Sequence, residues 1–380
     1  MPRQARFKNT GKGSFYGELA YASYLERHPN HFLVALNKLF DWEAYSAKLL
    51  VLYKGRGREG RPPYEPGLVL KLLLISYLYN VSEREVERLA DENLMVKWFL
   101  GLAVDEAPPD HSTLTAFKER LLKNRGWETL QSIFDGMLNE ASQQGIQLGK
   151  IQVLDSVHTQ ANVNPSKDRE RQDKGQGPRD PDARVVNKGQ REVVEPDGQT
   201  VKKEIRYRGY KTHVAVDAQT GIVTSMVPAP GDSADNKAFA KLLQHDQSLD
   251  LPTETYGGDR AYDDTDIFEL LESQGLHVGI KLRGFRTTKK DANKERWTAL
   301  KQTAQYQAAS KVRYRVERTF AQAKDKHGFE RCRYVGSRGH GLQAFLTFMV
   351  VNAKRIVKLL TGITFRELAK GRRAEVVQPV

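Results

Sequence analysis

One cysteine, Cys332, is all that 380 residues contain. An internal disulfide is therefore excluded, as is a zinc site built on cysteine pairs. With no secretory leader to be read either, a cytosolic setting is expected. Long apolar runs are also missing. The longest, Leu68 to Tyr79, is twelve residues and is broken by Lys71 and Ser76. A bilayer span needs about 20 residues, so this stretch is expected to be a buried helix, and no membrane partner is expected. Acid is short as well: 60 lysines and arginines face 47 aspartates and glutamates, for a formal net charge of +13. Hydrophobic residues make up only 39%, yet this length still allows two or three domains and a sizeable core.

The positive excess sits in one place. Lys281 to Arg338 holds seventeen Lys or Arg against five acids, a local +12. A basic stripe of that kind fits a polyanion, nucleic acid before an anionic membrane surface. Within it, Ser310 to Lys326 has neither Pro nor Gly, and Val312, Val316, Phe320 and Ala323 recur at helical spacing. A second face of the same helix carries Arg313, Glu317 and Lys324. A carboxylate between two cations suits a hard metal ion, with the cations left to hold phosphate oxygens. The same triplet also reads as a surface ladder worth a few tenths of about 1 kcal/mol per pair.

Residues 1 to about 30 read as a basic arm. From 31 to 145 every pattern is helical: Phe32 to Leu39, Trp42 to Tyr53, the apolar run, a helix opened by the capping box Ser82-Glu-Arg-Glu85, one beginning at Ser112 or Thr113, and Trp127 to Gln144. Asp110 with His111 fits a turn and cap better than a metal pair. Such a domain serves DNA docking, dimerisation or scaffolding. At Lys150 the period changes to that of strands. Ile151 to Asp155 is a strand ending in an acid, and about 165–204 reads as a long exposed insertion, poor in apolar residues. Strands Tyr210–Asp217 and Ile222–Val227 form a hairpin. A helix from Asp235, the strand Thr255–Asp259, a helix from Asp264 and the strand His277–Leu282 follow. A basic connector with Trp297 leads to the Glu317 helix, and 339–380 closes the chain with an apolar helix and a tail.

That order gives a mixed five-stranded sheet with flanking helices, spanning about 146–338. Sites in such sheets form at the carboxyl ends of parallel strands. Asp155, Asp259 and Glu317 can converge there and hold two divalent cations about 4 Å apart, one activating water and one stabilising a phosphodiester's leaving oxygen. An Asp at a strand end is equally a common turn or cap residue; Asp217 reads that way, and Asp263, Asp264 and Asp266 read as first-turn helix acids. Trp297 has two readings, a ring stacked on a displaced base or one packed on the sheet.

Leu154-Asp155-Ser156, Gly258-Asp259-Arg-Ala-Tyr262-Asp263 and Arg313-x3-Glu317-x6-Lys324 resemble the three acidic motifs of the DDE transposases of bacterial insertion sequences. The subgroup resembled has the signature Tyr-x2-Arg-x3-Glu-x6-Lys; here Ser310 stands at the Tyr position, with Tyr306 and Tyr314 nearby. Gly60-Arg-Pro-Pro-Tyr-Glu-Pro, Trp98-Phe-Leu-Gly101 and Pro109-Asp-His-Ser-Thr113 resemble that subgroup's helical N-terminal domain. The resemblance implies a ribonuclease-H-like catalytic domain, with Asp155, Asp259 and Glu317 as ligands of two Mg²⁺ ions, Mn²⁺ as substitute, and Arg313 and Lys324 at the DNA backbone. Arg315, Arg318, Lys289 and Lys290 of the basic stretch are expected at the DNA too. The activity implied is cut-and-paste transposition on double-stranded DNA, element terminal repeats and target, by a homodimer at the bacterial nucleoid. A non-transposing nuclease of this fold and an inactive DNA-binding protein are the alternatives.

Overall fold

The change of period at Lys150 marks a boundary in the structure: helices precede it and a sheet follows. The structure, a computed structural model, describes residues 7–53, 62–194, 199–288 and 292–366. Among these, the helical part comprises α1 Phe15–Arg27, α2 Phe32–Leu39, α3 Trp42–Leu49, α4 Pro66–Leu78, α5 Glu83–Glu92, α6 Leu94–Phe99, α7 His111–Leu121 and α8 Asn124–Gln143. A helix, α1, stands where only an arm was expected. In α4, the apolar run, Lys71 alone is not fully buried. Its ammonium sits over the rings of Trp42 and Phe99 and donates to Asn37 Oδ1 at 2.9 Å, and burial lowers its pKa to about 8. The capping box of α5 forms as expected. Helix α7 begins a residue early, because Asp110 is its N-cap and accepts from the Thr113 amide at 2.8 Å; His111 lies 2.9 Å from Glu87.

The second part runs β1 Ile151–Gln160, α9 Pro165–Asp173, β2 Arg184–Val194, β3 Thr200–Asp217, β4 Val223–Pro230, α10 Asp235–Ser248, β5 Thr255–Gly258, α11 Thr265–Ser273, β6 His277–Ile280, α12 Lys294–Gln302, α13 Ala304–Val312, α14 Tyr314–His327 and α15 Ser337–Thr361. The second half of β3 pairs antiparallel with β1 and β4, and β5 and β6 extend the sheet parallel to β1. These are the five strands expected. A sixth, β2, pairs antiparallel with the first half of β3, so the insertion at 165–204 is folded: a helix, then a two-stranded ribbon. Strand β1 also runs five residues beyond expectation, placing Asp155 in mid-strand. The connector after β6 forms α12 and α13, and the helix expected as continuous from Ser310 to Lys326 is two, meeting at Arg313.

Cross-strand partners share a face of a sheet. Val153, Val157, Val214 and Val216 face α14 and α15 in one apolar cluster; Leu154 and Ala215 face α10 and α11 in another. The first cluster continues without a break through α15 into α2, α4 and α8. A Cβ on Gly341 would lie 2.1 Å from the Trp127 ring, so glycine is what lets α8 seat on α15. Asn352 of α15 bonds both backbone groups of Val223 in β4, at 2.9 and 2.8 Å. The segment expected as a closing helix is thus the centre of the core, shared by the helical part and the sheet.

Candidate active site

The register Leu154↔Gly258 between parallel β1 and β5 puts Asp155 and Asp259, the next residue on each strand, side by side. Asp155 points to the same face as its partner Val214, towards α14. Two glycines set how close that helical layer comes: a Cβ on Gly257 would lie 3.2 Å from Ala309 Cβ, and one on Gly279 only 2.4 Å. Helix α13 therefore lies almost on the backbones of β5 and β6, and the chain turns at Arg313 into α14, which packs on β1. Arg313 Nη1 stands 3.5 Å from Glu317 Oε1, and the Glu317 side chain is 58% exposed.

Burial pushes the carboxyl of Asp155 up to about 7. Its bond from the Ser156 amide, 2.7 Å, opposes that rise, the charges of Asp259 and Asp235 add to it, and the Arg313 guanidinium eases it. Asp259 Oδ1 accepts from the Ala261 amide at 2.8 Å and caps the short turn Arg260–Tyr262, so it is a cap as well as a neighbour of Asp155. The structure brings Asp155 and Asp259 together and sets Arg313 against both Asp155 and Glu317. It does not close the third side: among the described residues no three His, Cys, Asp or Glu side chains stand close enough to hold a metal ion.

Residues 152–353, more than half of the chain, match the family described as "Transposase DDE domain", and residues 22–120 match one described as "Transposase domain (DUF772)". This chain belongs to the DDE transposase family. It is an enzyme of DNA transposition, and its mixed sheet with flanking helices is the ribonuclease-H-like fold. Among solved structures, a piggyBac transposase synaptic complex with hairpin DNA aligns at 11% identity and TM-score 0.42, over 87% of this chain and 76% of that one. A Mos1 transposase paired-end complex with left transposon end aligns at 10% and 0.20, over 72% and 83%.

The other sequence candidates of the transposase separate. Trp297 is 1% exposed, edge-on to Phe268 at 5.3 Å and covered by the Arg286 guanidinium at 5.0 Å. It is a core residue, and a ring so enclosed cannot meet a base. Arg286 is itself locked to Asp263, which also accepts from the Arg283 amide at 2.6 Å; Asp263 is thus a buried clamp, whereas Asp264 caps α11 as expected. Arg315, half-buried, donates to the Ala218 carbonyl and holds the turn after β3. Arg318 is exposed beside the half-exposed ring of Tyr314, 4.9 Å away, and Lys324 is half-buried. Lys289 and Lys290 lie outside the described residues. Asp217 is the buried turn residue expected, accepting from the Thr220 amide at 2.6 Å.

Sequence reasoning missed what lies behind the acidic pair. Asp235, read only as a helix start, accepts from Lys211 Nζ at 3.2 Å and lies 3.2 Å from His213 Nδ1. Burial alone would raise its pKa, but the His213 bond, the Lys211 charge and the Ser156 hydroxyl hold it at about 2. Tyr262 OH lies 3.5 Å from the same His213 nitrogen. The signal available was Lys211 and His213 alternating on one face of an otherwise apolar strand.

Proposed function

We propose that the transposase cuts a phosphodiester at the ends of its own element and joins the freed 3′-hydroxyl to target DNA. The observation that carries this reading is the side-by-side placement of Asp155, on β1, and Asp259, just past the end of parallel β5, beneath Arg313 at the joint of α13 and α14 and Glu317 on α14. In each step an incoming oxygen, first water and then the 3′-hydroxyl, attacks phosphorus, the P–O3′ bond breaks, and the departing oxygen takes a proton. Asp155, Asp259 and Glu317 are the residues that would hold divalent cations, Mg²⁺ or Mn²⁺, two in number. The donor set fits: every ligand is a hard oxygen, and a carboxyl raised by burial and by acidic neighbours is one a cation returns to its charged form. Such ions supply activation of the nucleophile and stabilisation of the leaving oxygen. Arg313, paired with Glu317 in the structure, turns to the scissile phosphate when DNA arrives and so frees that carboxylate; Lys324 and Arg318 grip the flanking backbone. Two copies would present two ends, at the nucleoid. Among the described residues no helix is long and apolar enough to cross a membrane.

One observation favours a second reading, a protein that binds DNA without cutting it: Glu317 is exposed and committed to Arg313. Incubation with DNA carrying the element's ends decides. Wild-type protein is expected to cut only with Mg²⁺ or Mn²⁺ present, and Asp155→Asn to bind that DNA as tightly while cutting at least about 100-fold more slowly, on the scale of losing one electrostatic catalytic contact. Equal cutting by the two proteins would remove Asp155 from the site, and metal-independent inertness of the wild type would leave the binder.

A further inference from the structure

The ribbon of β2 and the first half of β3 stands away from the rest of the sheet. At its base Val186 packs on Gly231, where a Cβ would come within 2.5 Å of the valine. Beyond that, Asn187, Gln190, Glu192, Lys202, Glu204 and Arg206 are all exposed. A two-stranded ribbon alone is marginal in water, and an open edge invites pairing, so a ribbon of this length needs a partner. Its charge says of what kind: residues 184–194 and 200–209 hold seven Lys or Arg and two Glu. On β3, Lys202, Glu204 and Arg206 share one face, with Glu204 2.9 Å from the Arg206 guanidinium. Gly189, at φ 82°, forms a bulge between Asn187 and Gln190, which bends the ribbon and increases its twist.

We propose that this ribbon lies in the major groove of the DNA that the acidic pair cuts, a groove wide enough for two strands. The proposal rests on the DNA substrate proposed above. Strand β3 is continuous, and its Val214 lies opposite Asp155. Arg206 and Lys202 are eight and twelve residues further along, about 27 and 41 Å at about 3.4 Å per residue. On a duplex rising about 3.4 Å per base pair they reach at most about 8 and 12 base pairs from the cut, and fewer as the ribbon follows the groove around the axis. The ribbon is a ruler fixed to the active-site strand.

The test compares wild type, Lys202→Glu with Arg206→Glu, and Glu204→Gln on duplexes extending about 5 or about 20 base pairs to either side of the cut. Wild type is expected to bind the long duplex at least about tenfold tighter than the short one. The double variant loses that gain, and its log–log salt slope on the long duplex falls by about two, one per phosphate contact. Glu204→Gln, having lost an acid from the binding face, binds the long duplex more tightly and the short one as wild type does. All three cut the short duplex equally with Mg²⁺, which keeps the ribbon apart from the acidic pair. A double variant that matches wild type on the long duplex overturns the proposal, as does an equal loss on both lengths. So does a change in sedimentation without a change in DNA affinity, which would make the ribbon a contact between copies. Wild type that binds neither duplex overturns the proposal together with the DNA reading beneath it.

Discussion

Asp155 is the residue on which the site's chemistry and its stability meet. An exposed aspartate titrates near about 3.9, and this one is pushed to about 7. Between those values the folded chain keeps a proton that the unfolded chain has released, so metal-free stability falls as pH rises from about 4 to about 7 and is flat above. Buried Asp246, raised to about 6, acts in the same sense, so the informative quantity is the difference from Asp155→Asn. That variant is expected to melt about 2–4 °C above wild type at pH 8 without metal and to lose the advantage at pH 5. Mg²⁺ is expected to raise the wild-type melting temperature at pH 8 and leave the variant unmoved. Thermal melts at both pH values decide, and identical pH profiles for the two proteins would contradict the assignment. At this scale the sequence was legible where a side chain ends a run of known period, as with Asp259 and Asp264. It was silent on Asp235, the first residue of α10, whose partners Lys211 and His213 lie on β3, and it left Trp297 open because nothing local distinguishes a ring under Arg286 from one in solvent.

Among elements, the pair α13 and α14 matters most, since its seat on β5 and β6 sets the height of Arg313 and Glu317 above the acids. Gly279→Ala is expected to cost about 1–3 kcal/mol in stability and to reduce cleavage further than a melt at the assay temperature accounts for, because the added methyl lifts α13. Ala309→Gly removes the methyl it meets, 2.4 Å away, and is expected to restore most of the lost cleavage in the double variant. Failure of that rescue would detach the helix's height from catalysis. The strands of the central sheet were legible from alternation and the helix stripe from Val316, Phe320 and Ala323, which are indeed buried. Helix α12 was not, since Trp297 is its one buried residue and a single contact leaves no periodicity. Strand β2 and the start of β3 were not either: half-buried Val201, Ile205 and Tyr207 do alternate with exposed Lys202, Glu204 and Arg206, but the charge-rich, apolar-poor composition around them reads as an exposed insertion.

For the molecule as a whole, the helical part and the sheet are expected to unfold as one cooperative body, because α15 supplies core to both. Phe345, 1% exposed and edge-on to Trp127 at 4.9 Å, is expected to cost about 3–5 kcal/mol when changed to Ala. Calorimetry should show a single transition for wild type and variant alike, displaced in the variant; two transitions, one of them unmoved, would mean two bodies. The boundaries expected near 145 and 338 follow the sequence pattern and not the packing. A change of period is visible along a chain, whereas a helix shared by two layers is visible only in contacts more than 200 residues apart, such as Trp127 with Phe345.

That shared helix also orders events in time. A ribosome reaches Leu342 of α15 only 274 residues after Leu68 of α4, which at about 5–20 residues per second is about 14–55 s later. Throughout that interval the apolar surface of α4 lacks the cover that α15 gives it. A chain that breaks off before Ser337 is therefore expected to leave that surface bare and to be released without the core that the helical part and the sheet share.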